Sequence, residues 1–298
     1  MRFISYKQNN QIKLGVMSAN NGVIDISSVG INKKDMNELI ITLTQAEREI
    51  LEGISSKNGG EPYENVEKLP PILSPLQDII CLGINYMEHA KESYRFKKIE
   101  FDGKREFPVY FGKRANYILG DGAIFPSHSQ ITQTLDYEVE LALIISKDAY
   151  NIPIDRALEY VFGYTILNDI SSRDIQNRYK QWYYGKSLDG STLMGPWIET
   201  NLDISNLKIS SKVNGELRQN ANTADMIFDA AYIISDLSLG MTLKAGTIIS
   251  LGTPSGVGMG FTPPKYLKKD DILTVQIYNS TNSLDNNYTS FIDVIKLS

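Results

Sequence analysis

The stretch Asp136-Tyr137-Glu138-Val139-Glu140-Leu141-Ala142-Leu143-Ile144-Ile145 alternates: positions 137, 139, 141 and 143 are Tyr, Val, Leu and Leu, while 136, 138 and 140 are acidic. A period of two predicts a strand with Val139, Leu141 and Leu143 on its core face. Glu138 and Glu140 then stand side by side on the other face, roughly 6 to 7 Å apart along the chain. Carboxylates so close repel each other, so the pattern fits either a half-exposed strand with a wet acidic face or a cation site. A third carboxylate favours the cation. Asp169 follows the apolar run Phe162-Gly163-Tyr164-Thr165-Ile166-Leu167, where an acid serves no packing purpose. Three oxygen ligands with room for water suit Mg²⁺ or Mn²⁺. Zinc would more often ask for His or Cys, and the chain offers only His89, His128 and Cys81.

Outward from this strand, short strand-like pieces bounded by turn residues are expected at 78–82, 109–111, 162–167, 197–199, 208–213, 247–251 and 272–277, with helices at 85–98 and 224–241. Toward the N-terminus, strand-like pieces at 2–4, 14–17 and 23–25 and a helical stretch at 36–54 form a small α/β leading domain. The segment Leu69-Pro70-Pro71-Ile72-Leu73-Ser74-Pro75 can sustain neither a helix nor a central strand, and it sets the boundary as 1–72 and 73–298. The run 279–283, rich in Asn and Ser, is expected to be a hairpin loop.

Composition narrows the function. Thirty Lys plus Arg against thirty-five Asp plus Glu give a net charge of -5, where a nucleic-acid surface asks for a basic stripe. The cluster Lys97, Lys98, Lys104 and Arg105 is interrupted by Glu100, Asp102 and Glu106 and reads as a solvated loop. No stretch approaches the roughly 18 to 20 uncharged apolar residues of a membrane span. The opening residues reach polar positions too soon for a secretory signal. A single cysteine allows no internal disulfide. A cytoplasmic enzyme with neither nucleic-acid nor membrane partners is expected.

His89 lies where a glycine turn, Leu82-Gly83-Ile84-Asn85, runs into a helix start, with Glu92 three residues on. That spacing puts both on one helix face, where the carboxylate can orient an imidazole that takes a proton from water; the same spacing also fits a surface ion pair. Lys186 follows Trp182, Tyr183 and Tyr184 and fits either a partly dry carboxylate-binding pocket or a solvated position. His128 reads as a loop residue. The turn Gly252-Thr253-Pro254-Ser255-Gly256-Val257-Gly258 lacks the Gly-Lys-Ser/Thr ending of a P-loop and is expected to form a tight pocket wall.

Taken in order, these segments resemble the fumarylacetoacetate hydrolase family from about residue 78 to 277. Gly83-Ile84-Asn85-Tyr86 through His89 is similar to its Gly-x-Asn-Tyr-x-x-His element, and residues 136–142 to its Asp-Tyr-Glu-x-Glu metal strand. Asn168-Asp169-Ile170-Ser171-Ser172-Arg173-Asp174-Ile175-Gln176 resembles the segment bringing the third metal ligand, and Lys186-Ser187-Leu188-Asp189 the lysine motif. Asn214-Gly215, residues 223–228 and the turn at 252–258 resemble its remaining pocket signatures. Two segments depart from the pattern: Gly190-Ser191-Thr192-Leu193 replaces a bulkier sequence, which bears on substrate size, and Ser280-Thr281-Asn282 stands where glycines are common.

The resemblance implies an α+β, β-rich fold, a mixed β-sandwich roll behind the leading domain, assembled as a homodimer. It implies metal ligands Glu138, Glu140 and Asp169, catalytic His89, Glu92 and Lys186, and substrate contacts Arg173, Gln176 and Thr253. Mg²⁺ or Mn²⁺ is the expected ion, with Ca²⁺ as a substitute. The expected activity is hydrolysis of a carbon–carbon bond in an acylpyruvate-like 2-oxo acid, the cation polarising the substrate and His89 activating water. The alternative on the same metal-enolate site is decarboxylation of oxaloacetate or isomerisation of unsaturated 2-oxo diacids.

Overall fold

A computed structural model describes residues 1–98, 100, 103–279 and 290–298. The departure at 280–282 lies outside them, as do most of the expected hairpin loop at 279–283 and Asp102 within the basic cluster.

Two sheets form the body. The larger runs, in spatial order, through Glu61–Pro62, Gly22–Asp25, Gln11–Met17, Arg2–Gln8, Thr192–Glu199, Val161–Asp169, Val139–Ile145, Ile248–Ser250, Ile79–Gly83 and Val109–Lys113. It is mixed: Ile248–Ser250 pairs parallel with Ile79–Gly83, while the acidic strand Val139–Ile145 pairs antiparallel with both neighbours. The smaller sheet orders Glu216–Asn222, Leu207–Val213, Ile272–Asn279, Ser290–Leu297 and Ile124–Phe125. The architecture is thus α+β and β-rich.

Every residue of the acidic strand is buried, because the strand is packed on both faces. Val139, Leu141, Leu143 and Ile145 enter a core shared with Leu207, Ile209, Val275 and Ile277 of the smaller sheet. Ala142 and Ile144 enter a second core with Phe3, Leu39 and Leu51 from the first fifty-five residues. The period of two holds, but the wet acidic face does not exist here: its residues look into the protein.

The expected helical stretch at 36–54 is two helices, α1 (Met36–Thr42) and α2 (Gln45–Ser55). Thr44 interrupts them, its hydroxyl and Glu47 forming a reciprocal capping box at the start of α2. The strands of this leading segment extend the large sheet through Arg2↔Glu199 and Phe3↔Ile198. Farther on lie α3 (Met87–Lys97), α4 (Arg173–Tyr179), α5 (Tyr183–Lys186) and α6 (Ala230–Gly240). No helix among the described residues is long and apolar enough to cross a membrane.

Candidate metal centre and its histidine

The acidic strand and Val161–Asp169 pair antiparallel with Val139↔Asn168 and Glu140↔Leu167. Continuing that register sets Asp169 opposite Glu138, and the Asp169 N–H donates to the Glu138 carbonyl at 2.9 Å. Side chains directly opposite share a face, so local alternation and register together bring Glu138, Glu140 and Asp169 to one point. One oxygen from each lies within 4.8 Å of the others. Their exposures are 4%, 1% and 0%. Three buried carboxylates are a donor set for a hard divalent cation. Asp169 Oδ1 lies 2.8 Å from the Lys113 ammonium.

The carboxylates are not equivalent. Burial pushes the Glu138 carboxyl up, yet the charges of Lys186 and Arg173 outweigh it and hold the group down at about 2. Burial and repulsion from Asp169 and Glu138 push Glu140 well above the usual carboxylate range. Lys186 Nζ bridges Glu138 Oε2 and Asp169 Oδ2, at 2.5 Å to each. Burial opposes its charge, but those two carboxylates raise its affinity for a proton. Arg173 places NH2 2.6 Å from Glu138 Oε1 and donates from Nε to Asp136 Oδ2 at 2.9 Å. Glu140 accepts from Ser250 Oγ at 2.5 Å and from the Gly252 N–H at 3.0 Å.

His89 and Glu92 lie in the first turns of α3, and both are buried at 7% exposure. His89 Nδ1 and Glu92 Oε2 are 2.9 Å apart, a buried pair rather than a surface one. Glu92 Oε1 also accepts the Gly256 N–H at 3.0 Å. His89, Glu138, Glu140, Lys186, Arg173, Gln176 and Thr253 line a single cavity of about 70 Å³, with Phe96, Trp182 and Met259 on its apolar wall. A larger cleft of about 1640 Å³ is lined by Arg2, Lys68 and Tyr117 among others, and by none of the residues of this centre. His128 stands apart, its Nε2 2.8 Å from the Asp189 carbonyl.

The turn after Ile248–Ser250 does more than wall the cavity. Its N–H groups donate to Glu140 from Gly252, to Glu92 from Gly256, and to Asp136 from Gly258 (2.6 Å) and Met259 (3.0 Å). Thr253 Oγ1 donates to the Val139 carbonyl at 3.0 Å and accepts from Gln219 Nε2 at 2.7 Å.

Sequence reasoning gave no role to Asp136, Ser250, Gln219 or Lys113, whose ammonium lies 2.8 Å from Asp169 Oδ1. One signal for Lys113 was present. It closes the strand Val109-Tyr110-Phe111-Gly112-Lys113 as Asp169 closes its own, a charge at the end of an apolar run.

Residues 78–287 match the model of the fumarylacetoacetate (FAA) hydrolase C-terminal family. The chain is 47% identical over 210 residues to the oxaloacetate tautomerase YisK of Bacillus subtilis, covering 70% of this chain and 68% of that protein. Among solved structures, the fumarylacetoacetate hydrolase from psychrophilic Exiguobacterium antarcticum superposes with a TM-score of 0.82 at 32% identity, with 100% of both chains covered. A probable 2-hydroxyhepta-2,4-diene-1,7-dioate isomerase from Mycobacterium abscessus superposes with a TM-score of 0.75 at 27% identity, covering 100% of this chain and 98% of that one.

Proposed function

The chain belongs to the fumarylacetoacetate hydrolase family, and from that premise we propose that it is a divalent-cation-dependent enzyme that interconverts the keto and enol forms of a small, oxaloacetate-like 2-oxo acid. The observation that carries this reading is His89, oriented by Glu92, lining the same small cavity as Glu138 and Glu140. Identity to an oxaloacetate tautomerase supports the choice of substrate.

Glu138, Glu140 and Asp169 would hold Mg²⁺ or Mn²⁺, with Ca²⁺ as a substitute. A bound divalent cation supplies a Lewis acid that withdraws charge from a keto oxygen. His89 does the proton work. Glu92 fixes Nδ1, which leaves Nε2 to take a proton from the carbon beside the keto group and return it to the keto oxygen, so that the imidazole ends neutral again. Lys186 and Arg173 supply positive charge for a substrate carboxylate, while Gln176 and Thr253 contribute polar contacts. A cytoplasmic homodimer with the first 72 residues as a leading domain belongs to the same reading.

Hydrolysis of an acylpyruvate is the second reading, favoured by the likeness to the Exiguobacterium hydrolase. It uses the same residues, except that His89 takes its proton from water and a carbon–carbon bond breaks. Decarboxylation of oxaloacetate is separated from both by its product.

The deciding assay offers oxaloacetate and an acylpyruvate to the Mn²⁺-loaded protein. It follows enol absorbance and pyruvate release in parallel. The expected result is rapid keto–enol equilibration of oxaloacetate with little pyruvate, reduced about 10²- to 10⁴-fold by His89→Ala. Acylpyruvate cleavage without that equilibration would establish the hydrolase reading.

A further inference from the structure

Lys113 ends its strand with a side chain wholly closed to solvent, and the chemistry above does not use it. Its Nζ donates to the Ile170 carbonyl at 3.3 Å, to Ser191 Oγ at 3.1 Å and to the Lys186 carbonyl. An ammonium has three donors, and here they face four acceptors, since Asp169 Oδ1 also lies 2.8 Å away. The acceptors surround the metal centre from behind. Ile170 follows Asp169, and Lys186 sends its own side chain to Glu138 and Asp169. Ser191 Oγ donates to the same Lys186 carbonyl at 2.8 Å. Burying an ammonium is costly even when it is paired, and an apolar residue would fill the space without that cost.

We propose that Lys113 is a positioning residue that ties the backbone behind Asp169 to the backbone of Lys186, so that the carboxylate and the lysine facing the cation site keep one geometry. This rests on the triad being that cation site.

Charge and position predict opposite outcomes. Removing a nearby positive charge strengthens cation binding by Coulomb's law, whereas loosening Asp169 weakens it. Lys113→Met is therefore titrated with Mn²⁺ by calorimetry on the whole protein, with near-ultraviolet circular dichroism as the check on folding. Mn²⁺ affinity is expected to fall about 10- to 100-fold, as it does when groups behind a metal's ligands are removed. Unchanged or tighter binding overturns the proposal. Should Lys113→Met not fold, Ser191→Ala carries the test. It removes one of the three anchors and is expected to weaken Mn²⁺ about 3- to 10-fold, the worth of one hydrogen bond; equal affinity overturns the proposal. A parent protein that binds no Mn²⁺ overturns the cation site itself, a result distinct from failure of the variants.

Discussion

Glu138 and Glu140 are two residues apart on one face, yet their surroundings push their protonation in opposite directions. Glu138 meets Lys186 and Arg173, while Glu140 meets other carboxylates. Only a further positive charge relieves the second environment, so Glu138→Ala and Asp169→Ala should each lose Mg²⁺ or Mn²⁺ binding in calorimetry; parental affinity in both would misplace the site. Lys186→Met leaves two buried carboxylates without their bridge. Removing one partner of a buried pair typically costs about 3–5 kcal/mol. Denaturant melts of that variant should show such a loss without cation and a smaller one with Mg²⁺, and a loss equal in both conditions would reject the electrostatic account. At this scale the three carboxylates, His89, Glu92 and Lys186 could be picked out as candidates, because each stands in a local pattern of alternation, helical spacing or motif. Asp136, Ser250 and Gln219 were not. They act on groups in other segments, and a hydrogen bond from Ser250 to Glu140 spans 110 residues without leaving a mark near either.

The turn after Ile248–Ser250 was legible as a pocket wall, but its amide donors were not, since their acceptors come from α3 and from two points at the head of the acidic strand. Its geometry gives a sharp expectation for Gly260. A Cβ there would stand 1.9 Å from Glu92 Oε1, so Gly260→Ala must displace the carboxylate that holds His89. Turnover should fall about 10- to 100-fold, as misplacement near 1 Å can produce, with Mn²⁺ affinity retained; parental turnover would show that Glu92 does not set the histidine. At the head of α4, Asp174 accepts from Thr132 Oγ1 at 2.7 Å and Ser172 Oγ at 2.8 Å. Partial burial raises its carboxyl, but the hydroxyls of Thr132, Ser172 and Thr134 outweigh this and bring it from 3.8 to about 2. A folded value below the unfolded one stabilises the fold above about pH 4, and the gain is lost as pH falls through about 2. Asp174→Asn should therefore melt below the parent at neutral pH, and the gap should close with acidification. A gap that persists at pH 2 would assign the difference to packing instead.

For the molecule as a whole, short strands broken by turns announced a β-rich body, and the family resemblance supplied the roll. The joining of Arg2–Gln8 to Thr192–Glu199 could not be read, because nearly two hundred residues separate partners whose local patterns say only that each is a strand. Nor did alternation reveal that both faces of the acidic strand are covered, since a polar face looks the same in sequence whether it meets water or a sealed ionic cluster. The sealed cluster predicts a global effect. A ligand at a hundredfold excess over its Kd stabilises the folded state by about 2.7 kcal/mol, so saturating Mg²⁺ should raise the melting temperature by roughly 5 °C. A chelator should reverse the shift, and a melt indifferent to both would count against a cation bound in the folded state. The turn at 252–260 has a bearing on protein engineering. A loop is ordinarily the first place to randomise when a new substrate is sought, but here the loop's own peptide groups fasten Glu140, the Glu92 paired with His89, and the Asp136 carboxylate beside Arg173. Each change there would be pleiotropic, disturbing all three carboxylates together. A library built on this scaffold should leave that loop intact and diversify Phe96, Asn177 and Trp182, which face the cavity from outside the loop.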